Sequence, residues 1–80
     1  MFNANANEYG VAANPFNYAV LRVRVKDGQR STSVEYKGYD EAIKRYFAIL
    51  AADLNDETVT YNMCTIVDSN GYIIEARSFS

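Results

Sequence analysis

The sequence predicts an α+β domain in which two β-hairpins flank one helix, in the order β-β-α-β-β. Asp27-Gly28 and Asn70-Gly71 each separate two runs of alternating apolar and polar residues, and both dipeptides tolerate the positive φ that a tight hairpin turn requires. Between the hairpins, residues 39–54 repeat apolar side chains at the spacing of an amphipathic helix. One helix packed on one face of a four-stranded sheet satisfies this element order.

The bulk composition limits what the chain can be. With 80 residues, it forms one domain that buries about 60–65% of the surface exposed by its unfolded chain. A lone Cys64 and the absence of His exclude an intrachain disulfide and a four-ligand zinc site. The net charge of −2 does not indicate a broad basic footprint for nucleic acid. No segment resembles a signal peptide or a membrane span, so we expect a cytoplasmic protein that does not enter membranes.

Residues 1–16 are predicted to form a flexible, Asn- and Ala-rich N-terminal arm, and residues 17–80 the single ββαββ domain. Gly10 and Pro15 interrupt any regular period in the arm, and its composition offers too little apolar area to offset the entropy of ordering it. The alternative is that the arm docks on a partner or a second subunit through its larger apolar side chains, which are Phe2, Tyr9, Val11 and Phe16.

The first hairpin follows from strict alternation on both sides of Asp27-Gly28. If that dipeptide is the two-residue loop, Val23 lies opposite Thr32 and Leu21 lies opposite Val34. The apolar residues of both strands then share one face of the sheet. This agreement between turn and pattern supports the hairpin.

The helix is predicted over residues 39–54, directly after Gly38. Asp40 is expected to cap its first turn through a side-chain oxygen, and Asn55 is expected to end it in a left-handed conformation. The apolar stripe expected to face the sheet comprises Ala42, Ile43, Tyr46, Phe47, Leu50, Ala51 and Leu54. Three further apolar residues widen this stripe, namely Ala48, Ile49 and Ala52. The excess width is either extra core or a contact surface.

The second hairpin has two possible turns. A two-residue Asn70-Gly71 loop pairs Val67 with Ile74, whereas a type I turn over residues 68–71 with a bulge pairs Val67 with Tyr72. These registers differ by two residues, so the same side chains share a face in both cases.

Two strand orders are compatible with the four strands. In the order 2-1-3-4 every neighbouring pair is antiparallel. In the order 2-1-4-3 the first and last strands pair in parallel at the centre of the sheet, which resembles the β-grasp topology of ubiquitin-like and immunoglobulin-binding domains. Antiparallel pairing is the more common arrangement and favours the first order.

The sequence offers little material for catalysis. The absence of His removes the commonest general base and leaves Cys64 without the base that would activate it. The four glycines are scattered, so no phosphate-binding loop is present. The acidic residues Asp53, Asp56 and Glu57 near the helix end are typical of solvated charge, and no EF-hand loop surrounds them. We therefore predict a non-enzymatic protein with no catalytic, cofactor-binding or metal-binding residues.

The candidate binding surface is the sheet face that we expect to point away from the helix. Alternation places on this face a set of basic and aromatic residues, which are Tyr18, Arg22, Arg24, Lys26 and Arg77. Arg and Tyr are favoured at protein interfaces, so we predict a protein partner and a homodimer. Aromatic residues interleaved with Arg are also typical of single-stranded nucleic-acid binding, which is the alternative function. A structural subunit of a larger assembly is the third prediction.

Residues 38–43 open the helix and residues 65–74 form the closing hairpin. These two segments, together with the element order, resemble small ββαββ accessory proteins of phages and mobile elements, including some anti-CRISPR inhibitors. The resemblance covers roughly residues 17–79 and consists of helix-start and turn chemistry, so no functional residue is carried over. It implies a protein that acts by occluding a surface of a larger host complex.

Overall fold

The computed structural model describes residues 17–80. The predicted arm over residues 1–16, with its candidate docking side chains Phe2, Tyr9, Val11 and Phe16, lies outside the described residues. The elements are β1 (Tyr18–Lys26), β2 (Gln29–Lys37), α1 (Tyr39–Leu54), β3 (Val59–Val67) and β4 (Ile73–Phe79). The predicted α+β class and the β-β-α-β-β order are confirmed.

The four strands form one antiparallel sheet in the order β2-β1-β3-β4. The order 2-1-3-4 is therefore confirmed, and the β-grasp-like alternative is wrong. β1 and β3 are neighbours at the centre, with Val20 opposite Ile66, because both strands contribute apolar residues to the core beneath the helix. Within the described part of the chain, β2 and β4 are the two edges of the sheet.

The first hairpin has the predicted turn and register. Asp27 and Gly28 have φ values of 53° and 79°, which is the pair of positive values that a type I′ turn requires. Val23 lies opposite Thr32 and Leu21 lies opposite Val34, as the alternation predicts. Local turn chemistry was sufficient to define this hairpin.

The second hairpin combines features of both predicted turns. The Gly71 amide donates to the Asp68 carbonyl at 3.0 Å, and Gly71 has a φ of 88°, as in a type I turn followed by a bulge. Beyond the turn, Thr65 lies opposite Ala76, which is the register of the two-residue loop. The register shifts by one residue between Ile66 and Val67, where Val67 lies opposite Ile73, and this irregularity connects the turn to the register of the strands.

The helix has the predicted bounds, but the residues at its two ends cap it differently from the prediction. Its N-cap is Gly38, in an extended conformation and without a side-chain hydrogen bond, so the predicted capping by Asp40 is wrong. Asp40 lies within the first turn, where its charge suits the positive end of the helix dipole. Asn55 has a φ of −91° and is right-handed, so the predicted left-handed ending is also wrong. Its side-chain amide donates to the Ala51 carbonyl at 2.9 Å.

The buried side of the helix is rotated relative to the predicted stripe. The buried residues are Ala42, Tyr46, Ile49 and Asp53, and Ile43 and Leu50 pack partly against them. Two expected core residues are instead exposed, since Phe47 retains 50% and Leu54 67% of its accessible surface. The rotation turns the Asp53 carboxylate toward the sheet.

Candidate functional site

The helix packs on the sheet face that carries the predicted binding residues. Val20, Cys64 and Ile66 from the sheet form one core with Tyr46 and Ile49 of α1. Strand alternation places Arg22 on the face of Val20, and Arg22 lies opposite Cys64. The prediction that this face points away from the helix is therefore wrong for the whole set, which comprises Tyr18, Arg22, Arg24, Lys26 and Arg77. The physical reason is that this face has its own apolar patch, beside basic residues that pair with the acidic end of α1.

A buried carboxylate organises the basic residues of β1. Asp53 is 1% exposed and accepts hydrogen bonds from Arg22 Nε at 3.0 Å and Arg22 Nη2 at 2.5 Å. Arg24 Nη1 donates to the same carboxylate at 3.2 Å, and Asn62 Nδ2 donates at 2.5 Å. We call these four residues the Asp53 cluster. The prediction that Asp53 is solvated charge is wrong.

The electrostatics of the Asp53 cluster favour the ionised carboxylate. Burial by itself raises the pKa of Asp53. The hydrogen bonds and charge of Arg22, with smaller effects of Asn62 and Arg24, lower this pKa by more than burial raises it, so that it lies below its ordinary value. A carboxylate near the C-terminal end of a helix also opposes the helix dipole. The two arginines therefore offset both burial and the dipole, and they anchor α1 to β1.

The other predicted site residues are dispersed. The Tyr18 ring contacts the Tyr39 ring edge-on at a centroid distance of 5.2 Å. Lys26 Nζ pairs with Asp56 Oδ2 at 2.5 Å, and this contact holds the pKa of Asp56 well below its usual range. Arg77 borders a groove of about 220 Å³ between α1 and β4, whose other lining residues are Leu50, Leu54, Ser78 and Phe79. The structure thus gathers Arg22 and Arg24, and leaves Tyr18 and Arg77 apart from them.

The single cysteine is poorly suited to nucleophilic chemistry. Cys64 is fully buried, and burial raises its pKa to about 11, so the thiol stays protonated at neutral pH. Within residues 17–80, no group of three or more His, Cys, Asp or Glu side chains is placed to hold a metal ion. The same part of the chain contains no helix that is long and apolar enough to cross a membrane.

The opposite face of the sheet is apolar, and no other element of residues 17–80 packs over it. Register and alternation place on it a set that we call the open face, namely Ala19, Leu21, Val23, Val25, Val34, Tyr36, Tyr61, Met63, Val67, Ile74 and Ala76. Of these, Ala19 is buried and the other residues of the central strands β1 and β3 are partly buried. The exposed fractions are 44% for Val34, 50% for Tyr36 and 37% for Ile74. Arg30 is the charged strand residue on this side of the described chain. The open face thus offers an extended, weakly charged contact surface.

The nucleic-acid alternative depended on an open basic face. In the described residues, the basic side chains of β1 lie on the same face of the sheet as α1, where they pair with Asp53 and Asp56. The open face instead lacks the basic track that would follow a phosphate backbone. Nothing in the geometry favours nucleic acid over protein.

The chain was compared with protein-family models, with curated proteins and with solved structures, and nothing matched in any of the three. The resemblance to phage accessory proteins therefore stays a prediction. The open face and the Asp53 cluster are the two features that bear on function.

Proposed function

We propose that the chain is a non-enzymatic protein-binding module that uses its open face to occlude an apolar surface of a larger partner. The observation that carries this proposal is the exposure of Val34, Tyr36 and Ile74 on a sheet face that, within residues 17–80, has a single charged strand residue. Four strands about 4.8 Å apart and about nine residues long give that face a projected area of about 550 Å². The largest apolar patch of a monomer is about 300–600 Å² and is often functional.

The chemistry of the open face defines the partner. Aliphatic and aromatic side chains, with Tyr36 and Tyr61 adding polar tips, suit a protein surface that is apolar at its centre and carries little charge. The hairpin turns hold the strands at their ends, and the Asp53 cluster holds α1 on the other side of the sheet. The open face is therefore already shaped before binding and loses little entropy on association. The host complex implied by the resemblance to phage accessory proteins is one partner of this kind.

The chemistry of the titratable groups supports a role without catalysis. The Cys64 thiol is buried and neutral, and the Asp53 carboxylate is held by two arginines. Neither group is available for proton transfer or attack on a substrate. A catalytic turnover that a single point substitution abolishes would contradict this part of the proposal.

The experiment is site-specific photo-crosslinking in cells that carry the gene. The crosslinking residue p-benzoylphenylalanine replaces Tyr36 on the open face or Phe47 on the outer side of α1. The two positions are matched, because both are aromatic and both are 50% exposed. We expect Tyr36→p-benzoylphenylalanine to form an adduct with one other protein, and Phe47→p-benzoylphenylalanine to form none with that protein.

Three outcomes would overturn the proposal. Equal adducts at both positions would show no preference for the open face. An adduct between Tyr36→p-benzoylphenylalanine and residues 1–16 of the same chain would show that the chain covers its own open face. An adduct with a second copy would assign the open face to self-association.

Titration with the captured protein adds a quantitative test. Val34→Lys places a charge within the apolar contact, and we expect it to raise the dissociation constant by about tenfold or more. Phe47→Lys is the matched control, and we expect it to leave the dissociation constant unchanged. Equal weakening by both substitutions would contradict binding through the open face.

A further inference from the structure

The fourth strand is an edge with few protecting features. Within residues 17–80, β4 pairs with β3 on one side only, and six of its seven residues are exposed. α1 packs mainly against β1 and β3 and leaves β4 at the rim. A strand with one free side presents backbone donors and acceptors that can pair with another strand.

The opposite edge of the sheet is better protected. β2 carries Arg30, Glu35 and Lys37 along a mostly polar strand, and charged edge residues discourage further pairing. β4 carries two charged residues, Glu75 and Arg77, and exposes 65% of Ile73 and 37% of Ile74 beside them. The two edges therefore differ in how readily they accept a neighbour, and β4 is the more receptive.

We propose that β4 pairs with β4 of a second copy, antiparallel, about a two-fold axis through Ala76. Arg77 then lies opposite Glu75 of the second copy, and the symmetry repeats this ion pair on the other side of the axis. Ile73 lies opposite Phe79 of the second copy, which adds an apolar contact at each end. The β4 edge is thus complementary to itself.

The charge pattern selects this register. A shift by two residues places Glu75 opposite Glu75, or Arg77 opposite Arg77, and like charges directly opposite each other destabilise a strand pair. A shift by one residue is incompatible with a two-fold axis perpendicular to the sheet, because side chains opposite each other must then lie on the same face. Among the neighbouring registers, only pairing about Ala76 places opposite charges face to face.

The pairing has a consequence for the open face, and this consequence rests on the proposed function. Two sheets joined through β4 become one eight-stranded sheet with both helices on the same side. The two open faces then form one surface with a projected area of about 1100 Å². This exceeds the about 800 Å² per partner that a standard protein interface buries, whereas the open face of one copy falls short of it.

The first test measures the mass of the full chain by light scattering between about 5 and about 500 µM, a range that covers micromolar self-association. Glu75→Arg alone and Arg77→Glu alone each place like charges opposite each other, and we expect the dimer dissociation constant to rise at least about tenfold in each. The double variant Glu75→Arg/Arg77→Glu restores the pairing, as does an equal mixture of the two single variants, which associate with each other. Lys44→Glu, on the exposed side of α1, is the control that leaves association unchanged.

The second test traps the register without altering charge. In a Cys64→Ser background, Ala76→Cys places two thiols across the two-fold axis, at a separation that a disulfide can span. Ser78→Cys is the control, because its two thiols lie four residues apart along the strands, about 13 Å. We expect oxidation to give a covalent dimer with Ala76→Cys and monomer with Ser78→Cys.

Specific results would overturn the proposal. These are a wild-type chain that stays monomeric over the whole concentration range, single charge variants that dimerise like wild type, or a mixture that does not associate. Equal disulfide formation at both cysteine positions would also reject the register. Circular dichroism of each variant confirms that the fold is intact. Because crosslinking at Tyr36 does not involve β4, this pairing and the proposed function fail by different results.

Discussion

Asp53→Asn tests most directly how the helix is held on the sheet. The substitution preserves the shape of the side chain and removes its charge, so Arg22 and Arg24 lose their shared anion. These arginine side chains are only 17% and 27% exposed, and water therefore replaces the lost interaction poorly. Removing one partner of a buried ion pair costs about 3–5 kcal/mol.

The low end of that range applies here. The asparagine amide oxygen still accepts a hydrogen bond from Arg22, so we expect the free energy of unfolding to fall by about 3 kcal/mol. At the usual stability per residue, the described residues 17–80 have a total stability of about 3–10 kcal/mol. The variant therefore loses about a third or more of the total.

Urea unfolding followed by far-UV circular dichroism measures this loss. With a slope near about 1 kcal/mol per molar for a small domain, the midpoint should fall by about 3 M. Asp56→Asn is the matched control, since it makes the same chemical change three residues later, at a carboxylate that is 29% exposed rather than 1%. Exposed pairs contribute little, so its midpoint should shift far less. Equal shifts in the two variants would refute the structural role of the Asp53 cluster.

Three further predictions concern acid, the thiol and the first turn. Because the folded-state pKa of Asp53 is lowered, its contribution to stability is present above the unfolded value of about 4 and is lost as the pH falls through the folded value. Urea midpoints from pH 7 to pH 2 should fall less steeply in Asp53→Asn, and identical slopes would contradict this. Cys64, buried with a pKa of about 11, should react with a thiol reagent at pH 8 only after unfolding in urea, so rapid native labelling would contradict its burial. Gly28→Ala meets no atom within 4 Å but keeps a φ of 79°, and should cost about 1–2 kcal/mol in urea unfolding. An unchanged midpoint would reject the strained turn.

The local structure was predictable because it depends on nearby residues. Asp27-Gly28 defined the first hairpin, and the helix bounds followed from the apolar period between Gly38 and Asn55. The sheet faces were also predictable, since the side-chain period of a strand is two. The end of the helix was not, because the conformation of Asn55 depends on the turn that leads into β3.

The covered face was not predictable from alternation. Both faces carry apolar residues, with Val20 and Ile66 on one and Leu21 and Val23 on the other, so pattern alone did not decide between them. The decision depends on the pairing of Arg22 with Asp53, 31 residues apart in sequence. A signal was present, because an acidic residue at the end of a helix where the dipole disfavours it indicates a compensating cation.

The candidate site was also predicted only in part. Sequence reasoning identified Arg22 and Arg24 as residues that act together, and the structure does bring them together, around Asp53. Their role in the fold is to hold α1 on one face of the sheet, and α1 therefore leaves the other face uncovered. The proposed binding surface was therefore missed, because it consists of residues such as Val34 and Ile74 that the alternation assigned to the core.

Solvent accessibility of methyl groups is the most direct measure of which face is open. A soluble gadolinium chelate broadens the NMR signals of methyl groups that it approaches, and it can be added to the full chain. We expect strong broadening for Val34 and Ile74 on the open face, and protection for Val20 and Ile66 beneath the helix. Protection of Val34 and Ile74, or broadening of Val20 and Ile66 to the same degree, would contradict an open apolar face.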